Sequence, residues 1–443
     1  MKQVILTLTL LAAANSLSAE NWTLKQCLDH AAQHNIQVQK NRLSEEESKQ
    51  SLMQSQAALF PSLSFSMSQS LGYRPFQEAT VMVQNGMATT TNNKLTESGS
   101  YGLNANWNVW DGGINRKNIE AQQVQHDLTT LQTEQSLNSI QEQIAQLYVQ
   151  ILYTIEAKKV NEQLLETAKS QLNRGQERLK VGDIAKADVA QLESQLATAE
   201  YDVVNSQTQI DGYKRQLKAL LQLDIDTPFD VADAELDDAR ALEPIPAKHE
   251  VYEQALATRP EIKSAQLSQE AADIQLDIAR RGYYPTIGIN AGIGDSHYSA
   301  SNDGYGEQLK RNLNGSIGLS VSVPILDNRR NKTAVEKAKL QKVNAALELA
   351  NQRTTLGSNI ENYWLQATSA QQRFIAAQTS VKSQQTSFEL VNEQFKEGLK
   401  NIVDLLQARD NLLNAQQNKL QSKYTTILNT QLLHFFADGS MSL

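Results

Sequence analysis

Residues 101–113 read YGLNANWNVWDGG, and the spacing of the apolar side chains changes within this stretch. As far as Val109 the apolar residues alternate with Gly and Asn, which is the two-residue period of a β-strand. After the Asp-Gly-Gly at 111–113, apolar residues recur at helical spacing as far as Val181, without a proline. The stretch therefore predicts a strand that leads through a tight turn into a very long helix.

The same order of strand, turn and helix occurs twice. The segment from Asp111 to about Tyr213 recurs without a gap from Asp327 to about Asn429, and the same offset pairs Gly182 with Gly398. Solenoids and propellers repeat every 20 to 50 residues or so, and this period is several times longer. We therefore expect two fused copies of one helical hairpin.

Four segments of about ten residues alternate between apolar and small polar side chains, at about 62–73, 99–110, 285–295 and 313–324. Ten alternating residues suit a tilted strand that crosses a bilayer, although a half-buried sheet of a soluble domain alternates in the same way. Two features favour the membrane. In all four segments the polar face consists of Ser, Gly and Asn, and aromatic residues cluster at strand ends as in an interfacial girdle: Trp107, Trp110, Tyr283 and Tyr284.

Four strands cannot form a closed barrel alone, because barrels begin at about eight strands. An open sheet edge in lipid leaves backbone groups unpaired, at a cost of several kcal/mol each. We therefore expect further copies of the chain to complete the sheet. Three chains with twelve strands are preferred, and a dimer of eight strands with little or no lumen stays open.

The remaining segments are assigned by composition and periodicity. Residues 1–19 have the charged start, short apolar core and small residues of a secretory signal peptide, and cleavage after Ser18 is an alternative. A first repeat (20–223, long helix 112–181, return helix 184–221) and a second repeat (249–443, long helix 328–397, return helix 399–437) flank an acidic, proline-containing crossover at 224–248. In each repeat the two shorter helices together match the long helix in length, so we expect them to lie in line beside it.

Composition excludes several functions. The net charge of −8 argues against nucleic acid, and the single cysteine, Cys27, excludes an intramolecular disulfide. Nothing resembles a catalytic motif, so we expect neither an enzyme nor a cofactor. Cys27, His30 and His34 share a helix face that could hold a soft metal ion, but no fourth ligand is evident and ordinary packing is the preferred interpretation.

Several short motifs occur in order along the chain, most of them in both repeats. They are Thr23-Leu24 with Ala31 and Asn35, Phe60-Pro61-Ser62-Leu63, Trp110-Asp111-Gly112-Gly113, Arg259-Pro260-Glu261-Ile262, Tyr284-Pro285-Thr286-Ile287, Val323-Pro324-Ile325-Leu326-Asp327 and the turns at 181–184 and 397–404. Together they resemble the TolC family of outer-membrane efflux proteins over essentially the whole mature chain. The resemblance implies an α+β membrane protein: a homotrimer with a twelve-stranded β-barrel in the outer membrane, four strands per chain, continued by a long α-helical, coiled-coil-like periplasmic tunnel. It also implies a periplasmic adaptor (membrane fusion) protein and an inner-membrane pump as partners.

The resemblance further implies a gate at the helix turns. In the family, the position of Asp404 belongs to a constricting acidic ring, and a basic residue at the position of Lys400 helps to keep the tip closed. Here Gln407 stands where a second acid would be and Phe395 replaces a tyrosine, so we expect a weaker or differently built latch. In the first repeat, Asp188 is the equivalent of Asp404 and Lys186 is a nearby base.

The two turns of each chain would give six in a trimer, which matches a six-fold adaptor ring. We therefore expect the adaptor to contact Val181, Gly182, Glu397 and Gly398. The expected function is a passive outer-membrane exit duct of a tripartite efflux or type I secretion system, opened by adaptor and pump. The alternative is a trimeric cell-surface stalk or adhesin without a through-channel.

Overall fold

The computed structural model describes residues 20–76, 80–84, 87–91, 94–232, 236–299 and 303–441. The predicted signal peptide, 1–19, lies outside these residues. None of the helices in the described ranges combines the length and the apolar composition that a bilayer crossing requires.

The first part of the chain runs from a short strand to a long helical hairpin. In order, its elements are β1 (Glu20–Trp22), α1 (Leu24–His34), α2 (Ile36–Ala57), β2 (Ser62–Tyr73), β3 (Thr80–Gln84), β4 (Met87–Thr91), β5 (Leu95–Trp110), α3 (Ile114–Lys180) and α4 (Lys186–Leu221).

The second part follows the same plan after a short connecting segment. Its elements are β6 (Phe229–Val231), a 3₁₀ helix (Asp238–Leu242), α5 (Lys248–Thr258), α6 (Pro260–Arg281), β7 (Thr286–Tyr298), α7 (Tyr305–Asn312), β8 (Asn314–Ser322), α8 (Arg330–Lys396) and α9 (Ile402–Asp438). Both α3 and α8 contain 67 residues, so each extends for about 100 Å.

The described chain divides into two compact units. A helical unit contains the residues up to 43, 131–263 and those from 350 onward, and a sheet unit contains 44–130 and 264–349. Each unit takes segments from both repeats. The repeats are therefore copies in sequence and do not fold as two separate domains.

The sheet unit is built on four antiparallel strands in the order β2-β5-β7-β8. Their register brings side chains of one kind onto each face. One face carries the rows Leu63-Ala105-Ala291-Ile317 and Phe65-Leu103-Ile293, whereas the other carries Ser62-Asn106-Asn290-Gly318 and Ser64-Asn104-Gly292-Ser316. Within the described strands, β2 and β8 each pair on one side only, so the sheet has two open edges.

The connections between the strands at one end of the sheet contain further secondary structure. The segment from Arg74 to Ser98 reads as a polar loop, yet it contains the hairpin of β3 and β4, and β5 already begins at Leu95. Helix α7 lies between β7 and β8, where Gln308 accepts a hydrogen bond from the Tyr298 amide at 2.8 Å. Sequence patterns missed these elements because they follow no apolar alternation.

The helical unit has its core where α1, α3 and α4 meet. Cys27 and Ala31 pack there against Ile144, Ile151 and Leu217, all of them buried. Asn35, between α1 and α2, also has a packing role. The Asn35 side chain accepts hydrogen bonds from the amides of Gln37 and Val38 and donates one to the Leu220 carbonyl, at 2.9 to 3.4 Å, so it starts α2 and ties this junction to α4.

The described residues of the acidic crossover pack against the helices of the helical unit. Strand β6 pairs in parallel with β1, and Ala241 of the 3₁₀ helix is completely buried. Asp238 forms ion pairs with Lys419 at 2.7 Å and with Lys423 at 3.4 Å, and Lys423 also contacts Glu156 at 3.4 Å. These pairs involve residues of α3 and α9, far apart in sequence, which explains why composition alone did not predict them.

Both long helices begin after a sharp corner that follows a strand of the sheet. At the first corner, the Asp111 carboxylate accepts hydrogen bonds from the amides of Gly113 at 3.0 Å and Asn115 at 2.9 Å. At the second, Asp327 accepts one from the Asn331 amide at 2.8 Å. Each aspartate thus satisfies free amides at the start of a helix.

The backbone at both corners is left-handed. Gly112 and Gly113 have φ of +71° and +82°, and the equivalent Asn328 and Arg329 have φ of +50° and +67°. These values delay α3 and α8 by two residues relative to the predicted starts at 112 and 328. Glycine adopts such angles freely, whereas an arginine in this region is strained.

We predict that substitutions at the two corners differ in their effect on stability. Gly112→Ala should lower the free energy of unfolding by about 1–2 kcal/mol or more, because it adds left-handed strain and a Cβ only 2.7 Å from the Tyr284 Cβ. Arg329→Gly should have a smaller effect, because relief of strain offsets the greater freedom of glycine in the unfolded chain. Denaturant unfolding of the detergent-solubilised protein, followed by circular dichroism, measures both. Equal destabilisation by the two variants would contradict this account.

Candidate functional site

The two helix turns end their long helices with the same motif. Gly182 has φ of +79° and Gly398 has φ of +73°. After α3, the amides of Gly182 and Asp183 donate to the carbonyls of Leu179 and Arg178 at 3.0 and 2.9 Å. After α8, the amides at 398 and 399 donate to the carbonyls of residues 395 and 394 at 3.1 and 2.8 Å. Both are Schellman caps, in which a left-handed glycine lets the chain leave the helix.

The return helices begin with side-chain caps that involve two of the predicted gate residues. The Asp188 carboxylate accepts a hydrogen bond from the Ala185 amide at 3.3 Å at the start of α4. The Asn401 side chain accepts one from the Asp404 amide at 2.9 Å at the start of α9. A carboxylate in a first helical turn also interacts favourably with the helix dipole, so both aspartates have a local structural role.

The structure brings Lys400 and Asp404 together. The Lys400 Nζ lies 3.4 Å from the Asp404 Oδ2, and about two fifths of each side chain is exposed. Gln407 instead donates a hydrogen bond to Asn411 at 3.0 Å, while Lys186 is exposed on α4. The acid–base pair expected in the second repeat is therefore in place, and the gating role of these residues stays a prediction.

Apolar side chains join the two hairpins just behind the turns. This cluster combines Leu172 of α3, Val189 and Leu192 of α4, and Ile402 and Leu405 of α9, with the Phe395 ring packed against it. Beyond the cluster the turn residues reach solvent: Val181 is 80% exposed and Leu399 is 75% exposed. Apolar side chains this exposed at a turn are available to a partner.

Sequence reasoning missed Arg178, which contacts both hairpins. Its Nε donates to the Asp183 carboxylate at 2.6 Å, and its Nη1 donates to the Phe395 carbonyl at 2.8 Å. The guanidinium carbon lies 5.4 Å from the centre of the Phe395 ring. Comparison of the repeats could have singled it out, because the two repeats differ at these positions. Arg178 and Asp183 are oppositely charged, whereas their equivalents in the second repeat, Gln394 and Leu399, are uncharged.

A cavity of about 660 Å³ lies beside Arg178, between α3 and α8. Gln171, Arg174 and Lys396 are among the residues that line it. Gln171 is 5% exposed, and neither polar atom of its amide has a hydrogen-bond partner among the described residues. A buried amide without a partner is costly, so Gln171 lowers the stability of the packing beside this cavity.

The four predicted interface residues lie near the end of the sheet that leads into the helices. About half of the Tyr283 and Tyr284 side chains is exposed, and the Trp110 and Tyr284 rings lie 6.4 Å apart. The Trp107 indole donates a hydrogen bond to the Leu59 carbonyl at 2.9 Å. A register shift after Asn108 pairs Trp110 with Ile287, which puts Trp110 on the apolar face of the sheet.

The geometry of Cys27, His30 and His34 does not support a metal site. Burial raises the pKa of the Cys27 thiol to about 12, so it is protonated at neutral pH and a poor ligand. The rings of His30 and His34 stack on each other at 4.1 Å. Across the described ranges, no three His, Cys, Asp or Glu side chains are arranged to hold a metal ion.

Comparison with known proteins agrees with the fold. The sequence model of the family described as "Outer membrane efflux protein" matches residues 27–222 and 251–434. The chain is 24% identical to the outer membrane efflux protein BepC of Brucella suis over 359 residues, which cover 80% of this chain and 75% of BepC. It is 25% identical to the outer membrane protein TolC of Escherichia coli over 291 residues, which cover 64% of this chain and 58% of TolC.

A solved structure shows the same fold. The Neisseria gonorrhoeae MtrE outer membrane channel, crystallised in its open state, superposes with a TM-score of 0.76 at 19% identity, covering 94% of this chain and 89% of MtrE. The fold is therefore that of the outer-membrane channels with four strands and two long helical hairpins per chain. The chain belongs to the outer membrane efflux protein family, which confirms the resemblance, the fold class and the outer-membrane location expected from the sequence.

Proposed function

We propose that this chain forms the outer-membrane exit duct of a tripartite efflux or type I secretion system, which a periplasmic adaptor and an inner-membrane pump open. The observation that carries the proposal is the sheet, which has one exposed apolar face, one uncharged polar face and two open edges. A soluble protein would cover such an apolar face, whereas lipid covers it in an outer-membrane barrel.

The apolar residues form a band across one face of the sheet. Along β7 it extends from Ile287 to Ile293, about 20 Å at a rise of 3.3 Å per residue. The tryptophans and tyrosines lie at one end of this band. At the other end the same face becomes polar, with Asp295, His297 and Glu97. Aromatic residues at one boundary and charged residues at the other are consistent with the two surfaces of a bilayer.

The open edges require further copies of the chain. In a bilayer, unpaired amides and carbonyls along β2 and β8 would each cost several kcal/mol. Pairing of β2 in one copy with β8 in the next satisfies both edges, and three copies give a ring of twelve strands, wide enough for a lumen. The polar face then lines that lumen with Ser and Asn side chains and with Gly residues, and the described residues of this face carry no charge.

Selectivity for charge would then arise at the helix turns. In a trimer, Asp404 and Asp188 would each occur three times, and carboxylates about 6 Å apart repel by about 3 kcal/mol at an effective dielectric constant of 20. Lys400 neutralises Asp404 only in part, because the two charges are 3.4 Å apart and about two fifths of each side chain is exposed. A ring of these carboxylates would therefore favour the passage of cations. Repulsion among the carboxylates would also oppose a narrower constriction.

We predict that Asp404→Asn lowers the cation selectivity of the channel in planar bilayers, because it removes three negative charges from the constriction. Reversal potentials under a salt gradient measure this change. Asp226→Asn, the same substitution in the exposed crossover, is the control and should leave the selectivity unaltered. A complete lack of conductance from intact oligomers of the wild type and of Lys400→Gln would count against a duct and in favour of a stalk.

The turns and the adjoining cavity are the proposed adaptor site. The exposed Val181, Gly182, Glu397 and Gly398 form its surface. The space around Gly182 is open, since a Cβ added there would meet no atom within 4 Å.

We predict that the double variant Gly182→Asn and Gly398→Asn binds the adaptor more weakly. Asparagine tolerates the left-handed conformation, so the turns should fold while the added side chains obstruct the docking surface. Co-purification with the tagged periplasmic adaptor of the native host measures binding. Asn substitution at Gly212, a helical glycine with open space around it outside the turns, is the control. Undiminished adaptor binding by the double variant would remove the turns from the interface.

A further inference from the structure

We propose that Arg178 and Asp183 form a staple that holds the two helical hairpins of one chain together at their turns. As a consequence for gating, which rests on the proposed function, the staple keeps the tip closed until partners engage it. Arg178 acts here as a positioning residue, because it holds the turns and does not contact the transported substrate.

The geometry joins three elements through one side chain. Arg178 lies in the last turn of α3, the carboxylate at 2.6 Å belongs to the following turn, and the carbonyl at 2.8 Å belongs to the last turn of α8. Asp183 binds the guanidinium at Nε, which leaves Nη1 directed at the Phe395 carbonyl. The carboxylate therefore fixes the rotamer that makes the link between hairpins possible.

The carbonyl that accepts this bond lies at a helix C-terminus. The last carbonyls of α8 carry the negative end of its dipole, where a guanidinium is favoured. The Phe395 carbonyl also accepts the Gly398 amide at 3.1 Å, so Arg178 uses its second lone pair and leaves the Schellman cap intact. The contact of the guanidinium with the Phe395 ring adds a cation–π attraction.

The staple uses the backbone of Phe395 for its hydrogen bond. Phe395 has no hydroxyl group, so its side chain cannot donate a hydrogen bond across the hairpins. Its backbone carbonyl takes part instead, and this contact is independent of the side chain at 395. Because Gln394 and Leu399 stand at the equivalent positions of the second repeat, a matching arginine–carboxylate pair in the opposite direction is not available.

Partial burial makes this interaction stronger than an ordinary surface ion pair. The Arg178 side chain is 20% exposed, whereas Asp183 is 57% exposed. Lys180, two residues later, pairs with Glu177 while both side chains are about 70% exposed. Exposed pairs of this kind contribute little, so Lys180→Gln removes the same charge from the same helical turn and serves as a matched control.

The test measures the separation of the hairpins directly. Spin labels are attached to cysteines introduced at the exposed Val181 and Glu397, in a Cys27→Ala background, and labelled chains are diluted with unlabelled ones so that only distances within one chain are observed. Pulsed electron resonance then gives the distance distribution for the wild type, Arg178→Gln, Asp183→Asn and Lys180→Gln. Gel filtration and circular dichroism establish that each variant is assembled and folded.

We expect Arg178→Gln to shift the distribution to longer distances and to broaden it. Asp183→Asn should cause a smaller shift, because the arginine remains but loses its orientation, and Lys180→Gln should match the wild type. Asp183 is exposed, so its variant keeps the test valid if Arg178→Gln fails to fold. An unchanged distribution in the folded Arg178 and Asp183 variants would overturn the staple.

Conductance measurements distinguish failure of the staple from failure of the proposed function. We expect a several-fold larger single-channel conductance from Arg178→Gln than from the wild type and Lys180→Gln. A longer distance without a larger conductance, in a protein that does conduct, would overturn the gating role of the staple. If the distances shift as expected and no variant conducts, the staple stands and the duct itself is refuted.

Discussion

Backbone hydrogen bonding at the two open edges of the sheet is the constraint on which the rest of the protein depends. Four strands present an apolar face that water disfavours and two edges that lipid disfavours. Both problems are solved by one arrangement, in which copies of the chain pair edge to edge within a bilayer. The alternation of apolar residues with Ser, Asn and Gly in the sequence then has consequences for both faces of the sheet. The same residues that allow the sheet to face lipid leave its other face uncharged and polar.

The helical hairpins are subject to a different constraint. Helices of about 100 Å cannot be stabilised by one compact core, so they depend on local clusters along their length. One cluster lies where α1, α3 and α4 meet under the packed crossover segment, and another lies behind the turns. Between the second cluster and solvent, a few polar contacts among the described residues hold the turns, including Arg178 with Asp183 and Lys400 with Asp404. Few contacts and high exposure make the turns the region where a small change in energy can alter the structure.

The sequence was informative wherever structure follows a local period. Alternation identified β2, β5, β7 and β8, and the 216-residue offset between Asp111 and Asp327 identified the two hairpins. It was less informative where contacts join distant segments. The pairing of β1 with β6 and the ion pairs of Lys423 depend on which helices are neighbours, and no local pattern contains that information.

The candidate site shows the same division. The turn glycines and the pair of Lys400 with Asp404 could be predicted, because both lie within one turn and a few residues of helix. The link from Arg178 to the Phe395 carbonyl could not, because its acceptor is a backbone group 217 residues away that any side chain at position 395 would leave in place.

The central claim is that further copies of the chain complete the sheet by pairing edge to edge. Native mass spectrometry of the purified protein in detergent tests this claim most directly, because it counts the chains in the complex. We predict a complex of three chains, whose strands satisfy both edges and leave a lumen. A stable monomer or a dimer as the only species would contradict it, since a monomer leaves the edges unpaired and eight strands leave little room for a duct.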